Sequence, residues 1–205
     1  MATSPSPGNT RADAATGITV IVTASLAALY GVMVLITGAF IFVNRLTADA
    51  VTIPQPVAVD IEVESATQTH LTEGTFRMAD ITVAGIPDGV RALLASSSVL
   101  DTVAHLAVVF GVIMLCVSLL RGRPFMPAMV RTLIVTSFAL VISGMLSTGL
   151  LAFANMEIAH LLDLPGFPMA GTLDFTAAFV GLALALVAAV FTIGQRMQRD
   201  TEGLV

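Results

Sequence analysis

The chain has 205 residues, of which 56% are hydrophobic and 11% charged, with a mean hydropathy of +0.93 and a formal net charge of −5 at pH 7. Soluble domains carry about a quarter of their residues as charges, so this composition excludes a disordered chain, a nucleic-acid-binding module and an ordinary cytosolic enzyme. The apolar residues fall in long unbroken blocks of the length a bilayer requires rather than on alternating faces, which reads as a polytopic membrane protein.

Residues 1–16 are rich in Ser, Pro, Gly, Thr and Ala and are expected to form a disordered cytoplasmic tail. From Gly17 to Val43 there is no charged residue, and at about 1.5 Å per residue that run is longer than a bilayer core of roughly 30 Å. Ala48-Asp49-Ala50 has the form of a signal-peptide cleavage site. The apolar run before it is far longer than a signal h-region, however, so the segment is expected to be an uncleaved anchor. The second span is expected over 99–120, the third over 132–153 and the fourth over 175–195.

The arginines set the expected orientation, since all nine basic residues are Arg. The 121–131 loop holds Arg121, Arg123 and Arg131 with no acid, and the 196–205 tail holds Arg196 and Arg199. The 154–174 loop carries Glu157, Asp163 and Asp174 and no Lys or Arg. The positive-inside rule then places both termini and the 121–131 loop in the cytoplasm. Trp is absent and Tyr30 is the one tyrosine, so interfacial anchoring falls to Arg and Phe.

Residues 44–98 are expected to form a small extracytoplasmic cap. Val57, Val59, Ile61 and Val63 alternate with Ala58, Asp60, Glu62 and Glu64, the pattern of a half-buried strand. Pro54 and Pro56 are read as its boundary. Phe76, Met78 and Ile81 to Val83 suggest further strands, with a turn at Glu73-Gly74 and a helix after Pro87-Asp88-Gly89 that runs through Val90, Leu93 and Leu94 into the second span. The expected fold is an all-α membrane protein, a four-span antiparallel transmembrane helix bundle with a small β-containing cap between spans one and two.

Lipid gives no hydrophobic drive for helix association, so small residues mark candidate packing seams. Ala177, Gly181, Ala185 and Ala189 recur every four residues in the fourth span, Ala24, Gly31 and Gly38 every seven in the first, and Ser143, Gly144, Ser147 and Thr148 cluster in the third. No ionisable residue lies at the middle of an expected span, which speaks against conventional ion-coupled transport. The remaining ionisable groups fall at the outer ends of spans two and three. Asp101 and His105 are four apart and Glu157 and His160 three apart, so each pair shares a helical face. Glu-x-x-His is the spacing of carboxylate metal sites in helical bundles, and these four residues are the candidate metal or proton site. The competing reading is that they are polar residues wetted at the membrane surface. Asp163 continues the second face, His70 has no partner by spacing, and Cys116 reads as a small buried hydrophobe. No cofactor motif is present, and no cofactor is expected.

Leu119-Leu120-Arg121-Gly122-Arg123-Pro124-Phe125 closes the second span. Gly122 and Pro124 end the helix, and Phe125 can return to the interface. A Gly-x-Pro-Phe turn at this place, with four spans and a longer first loop, resembles the domain of unknown function 2975 family, over about Gly17 to Gln195. Met126 departs from the polar residue frequent after the Phe. The resemblance implies a bacterial inner-membrane protein, sometimes encoded beside a small helix-turn-helix regulator, with no known catalytic residues.

Three functions remain open. The first is a non-catalytic accessory subunit or regulatory component of a membrane complex, with the bilayer and other membrane subunits or a second copy as partners and no nucleic acid. The second is a metal- or proton-handling protein using Asp101, His105, Glu157 and His160. The third is a permease for a small neutral solute.

Overall fold

The computed structural model describes residues 7–61, 74–121, 127–164 and 166–202, and side chains over 17–58, 77–121, 127–164 and 166–197. Four helices and two strands follow in the order α1 (Pro7–Thr47), β1 (Ala50–Ile61), β2 (Gly74–Ala84), α2 (Asp88–Leu120), α3 (Pro127–Leu162) and α4 (Thr176–Glu202). Each helix contains a stretch long and apolar enough to cross a membrane: Gly17–Thr47, Asp88–Leu120, Pro127–Leu162 and Thr176–Met197. α1 begins inside the segment expected as a tail, and α2 and α3 run well beyond the spans expected from hydropathy. The chain divides into two compact units, one of residues 1–37, 102–143 and 176–205, the other of residues 38–101 and 144–175.

In the first unit the helices meet at glycines. A Cβ built on Gly31 of α1 would lie 2.9 Å from Val109 Cγ1 of α2, and one on Gly111 of α2 would lie 3.3 Å from Thr136 Cγ2 of α3. At Gly181 of α4 it would meet Val141 Cγ2 at 2.7 Å and the Ser137 carbonyl at 2.9 Å. That closeness lets Ser137 Oγ donate to the Gly181 carbonyl at 2.6 Å. Met129 and Leu133 of α3 and Ala188 of α4 form the buried apolar cluster, with Met114 and Leu115 of α2 and Leu184 and Phe191 of α4 against it.

The seams follow one geometric rule. Among the α1 residues whose side chains are described, those not exposed are Gly17, Val20, Ala24, Ala27, Gly31, Val34, Gly38, Ile41 and Arg45, spaced alternately by three and four. A seven-residue repeat turns through about 700°, close to two full turns, so Ala24, Gly31 and Gly38 stay on one face. A four-residue repeat turns through about 400° and drifts some 40° each time. The α4 seam accordingly departs from the expected stripe. Ala177 and Gly181 face inward, the seam continues at Leu184 and Ala188, and Ala185 and Ala189 are exposed.

The second unit carries the sheet. β1 and β2 pair antiparallel, with Ala50 opposite Ala84 and Ile61 opposite Gly74. Val51, Ile53, Gln55 and Val57 are buried while Thr52, Pro54 and Ala58 are exposed, Pro56 being buried as well; the side chains after Ala58, where the alternation was expected to continue, lie outside the described residues. Pro54 and Pro56 lie inside the strand and do not bound it. Two residues apart, they turn their missing N–H groups to the same edge, where no strand pairs among the described residues. The register slips between Pro56 and Val59, where β1 holds one extra residue, and the Ala58 N–H bonds the Gly166 carbonyl at 2.9 Å. Val51 and Ile53 join Ile86, Val90 and Leu94 of the α2 region and Ala154 and Ile158 of α3 in a single apolar core. Gly74 opens β2, and the rest of the expected turn lies outside the described residues, as do His70 and the Gly122, Arg123, Pro124 and Phe125 motif.

Gly181→Val should destabilise the chain by about 1–3 kcal/mol, the usual cost of overpacking a tight contact. Gly149→Ala, which meets nothing within 4 Å, should leave stability unchanged or slightly raised. Thermal unfolding in detergent, followed by circular dichroism, checks the pair.

Candidate functional site

Polar side chains concentrate in the sheet-bearing unit, where helix α1 gives way to strand β1. A helix end leaves its last carbonyls without intrahelical donors, and the link to β1 adds more. Arg91, in the first turn of α2, collects them. Its Nη1 donates to the Ala48 carbonyl at 2.7 Å and the Arg45 carbonyl at 3.3 Å, and its Nη2 to the Asp49 carbonyl at 3.5 Å. Its Nε turns back to the Ile86 carbonyl at 3.2 Å. The planar five-donor guanidinium is the one side chain that can serve several carbonyls in this way.

Arg45, in the last turn of α1, reaches the other way. Its Nη1 donates to the Leu94 carbonyl and, at 3.0 Å, to Ser97 Oγ. Ser97 Oγ in turn donates to the Leu94 carbonyl at 2.8 Å, and Ser147 Oγ of α3 donates to the Ser97 carbonyl at 2.9 Å. Asp101 attracts the Arg45 guanidinium electrostatically. These contacts tie α1, α2 and α3 together within the unit.

A second polar node joins sheet and helix. Gln55 of β1 and Asn155 of α3 are 0% and 1% exposed. Gln55 Nε2 donates to the Asn155 carbonyl at 3.0 Å, and Asn155 Nδ2 donates to the Pro54 carbonyl at 3.2 Å. This reciprocal exchange imitates a strand pairing between two elements that cannot otherwise share a ladder.

The residues expected to form a metal or proton site lie on α2 and α3. Asp101 and His105 lie in the middle third of α2, not at its end, because Val90, Leu93 and Leu94 carry that helix back to Asp88. Asp101 works with Arg45, and the His105 ring lies 6.4 Å from that of Tyr30, tilted by 55°. Glu157 and His160 are exposed in the last turns of α3. Asp163 follows in the left-handed region, at φ 44°, with its N–H on the Ala159 carbonyl, as a residue ending a helix does. Among the described residues, no three or more His, Cys, Asp or Glu side chains are grouped so that they could hold a metal ion. Cys116 is a buried free thiol.

The family model of a protein of unknown function, DUF2975, matches residues 75–205, more than half of the chain. The chain belongs to the DUF2975 family. The match begins within β2, later than the Gly17 expected from the turn motif, so α1 and β1 stand outside it. No curated protein and no solved structure matches the chain.

Arg45, Gln55, Arg91 and Asn155 were not singled out in the sequence. Gln55 occupies an inward position of the strand alternation, and Asn155 interrupts the apolar continuation of span three. A polar side chain in an apolar slot is the signal that could have found both.

Arg91→Met should lower stability by about 2–4 kcal/mol, since charge-assisted hydrogen bonds are worth about 1.5–3 kcal/mol each and this group is only half-buried. Arg91→Lys should recover only part of that, because an ammonium cannot span the same carbonyls. Arg77→Met, at an exposed site on β2, should change little. Thermal unfolding compares the three, and amide exchange at Asp49 to Thr52 should accelerate in the first alone.

Proposed function

We propose that this DUF2975 chain is a non-catalytic accessory or regulatory subunit of a bacterial membrane complex, held in the cytoplasmic membrane with both termini in the cytoplasm and the sheet outside. The observation that carries this reading is where the polar groups of the sheet-bearing unit are spent. Arg45, Arg91, Gln55 and Asn155 all donate to main-chain carbonyls, which fixes a small sheet rigidly on helices. The sheet then offers Thr52, Pro54, Met78, Asp80 and Thr82 outward. A fixed, mixed polar and apolar face is what a docking subunit needs, whereas a lid over a reaction centre has to move. The distribution of Arg supports the orientation.

Affinity purification of the full chain from native membranes in mild detergent should bring down one stoichiometric membrane partner. Met78→Glu combined with Thr82→Arg should release that partner while the chain stays folded and monodisperse. Solitary elution of the unaltered chain would overturn the subunit reading. One equivalent of Fe, Cu, Zn or Mn in that preparation, lost on replacing His105 and His160 by Ala, would replace it with a metal-handling role.

The orientation has its own check. In a Cys116→Ser background, Thr82→Cys should react with a membrane-impermeant maleimide on intact cells, and Arg131→Cys only after permeabilisation. The opposite pattern would invert the topology.

A further inference from the structure

Gln55 and Asn155 are buried side by side, and each has one polar atom whose role the docking of sheet on helix does not use. The orientation of both carboxamides is fixed by their surroundings. Gln55 Nε2 faces the Asn155 carbonyl at 3.0 Å, and Asn155 Nδ2 faces the Pro54 carbonyl at 3.2 Å. Turning either amide over would set its oxygen against a main-chain carbonyl, two acceptors with no proton between them. The remaining oxygens, Gln55 Oε1 and Asn155 Oδ1, are therefore committed to the interior as acceptors. Both are buried, and no donor among the described residues reaches either.

A buried amide oxygen without a donor is strongly disfavoured, and native proteins meet that demand with a protein group or an ordered water. The chemistry of the neighbourhood narrows the donor. Ile53 lies on the same face of β1, and Ala154 and Ile158 flank Asn155 on α3, all in the apolar core. Two neutral acceptors among alkyl groups suit a small neutral donor. A cation would need compensating negative charge, and no acidic or histidine cluster is gathered among the described residues.

We propose that the Gln55–Asn155 pair is an internal hydration site, in which resident water donates to Gln55 Oε1 and Asn155 Oδ1 and completes the polar node between β1 and α3. Water has two donors and is small enough for a packed core, and such waters recur where buried polar groups outnumber their protein partners. The inference is independent of any partner of the sheet.

The test is water-to-amide magnetisation transfer by NMR on the full chain in detergent micelles or nanodiscs, with Gln and Asn side chains labelled with nitrogen-15. Signals are assigned by their loss in Gln55→Met and Asn155→Leu. Long-lived water cross-peaks are expected at the Gln55 Nε2 and Asn155 Nδ2 protons and not at Asn44, whose side chain is exposed. Absence of those cross-peaks overturns the proposal. So does contact with a side-chain donor from residues 62–73. A shift of the two signals when sodium is exchanged for N-methylglucamine also overturns it, by making the occupant a cation. If neither variant folds, density maps of the unaltered chain at a resolution that shows water decide. A peak about 2.8 Å from either oxygen upholds the site, and alkyl contact at both removes it.

Discussion

An unpaired main-chain carbonyl away from water is expensive, and the passage from a membrane helix into a strand creates several at once. In this chain the demand is met by charge. Arg91 gathers the carbonyls of Arg45, Ala48, Asp49 and Ile86, while Arg45 itself reaches across to Leu94 and Ser97. Each guanidinium serves the backbone of the element that carries the other or its neighbour, so the end of α1 and the start of α2 are bonded in both directions. The position of β1 follows, since the strand begins at Ala50 directly after the carbonyls that Arg91 holds. The apolar core of Val51, Ile53, Val90 and Leu94 closes over that junction.

The two units use different means of association. Around the sheet, burial of alternate strand residues is combined with directed hydrogen bonds from side chain to backbone. In the helical unit, glycines at Gly31, Gly111 and Gly181 bring helices close enough for side-chain and carbonyl contacts. Where helices can exchange helix contacts for lipid contacts at little cost, specificity has to come from close approach and from bonds such as Ser137 to Gly181.

Much of this was legible in the residues. Four apolar blocks became four helices, Val57 and Ala58 lay in β1 with the first buried and the second exposed, and Ile81 to Val83 lay in β2. The seven-residue spacing of Ala24, Gly31 and Gly38 followed a real seam, whereas the four-residue stripe in α4 drifted off it at Ala185. What stayed hidden were partnerships between distant positions. Hydropathy marks where apolar runs stop, but α2 and α3 continue past those points because Val90, Leu94 and Ile158 find a core in the sheet. Equal spacing put Asp101 with His105 and Glu157 with His160, yet which groups meet depends on how helices are placed. Asp101 acts electrostatically on Arg45 of another helix, and the His105 ring lies 6.4 Å from that of Tyr30. Nothing local to Arg91 or Gln55 names a carbonyl forty or a hundred residues away.

The helices outrun the stretches that carry no formal charge. α2 has 33 residues and α3 has 36, yet the run without Asp, Glu, Lys or Arg covers 102–120 in the first and 132–156 in the second. At 1.5 Å per residue those runs reach roughly 28 and 38 Å, near the thickness of a hydrocarbon layer. The further turns carry the residues that meet the sheet, Val90 and Leu94 on α2 and Ile158 on α3. One unbroken helix thus passes from an uncharged run into the core of the sheet without a joint, so a displacement of either end is carried along its axis to the other.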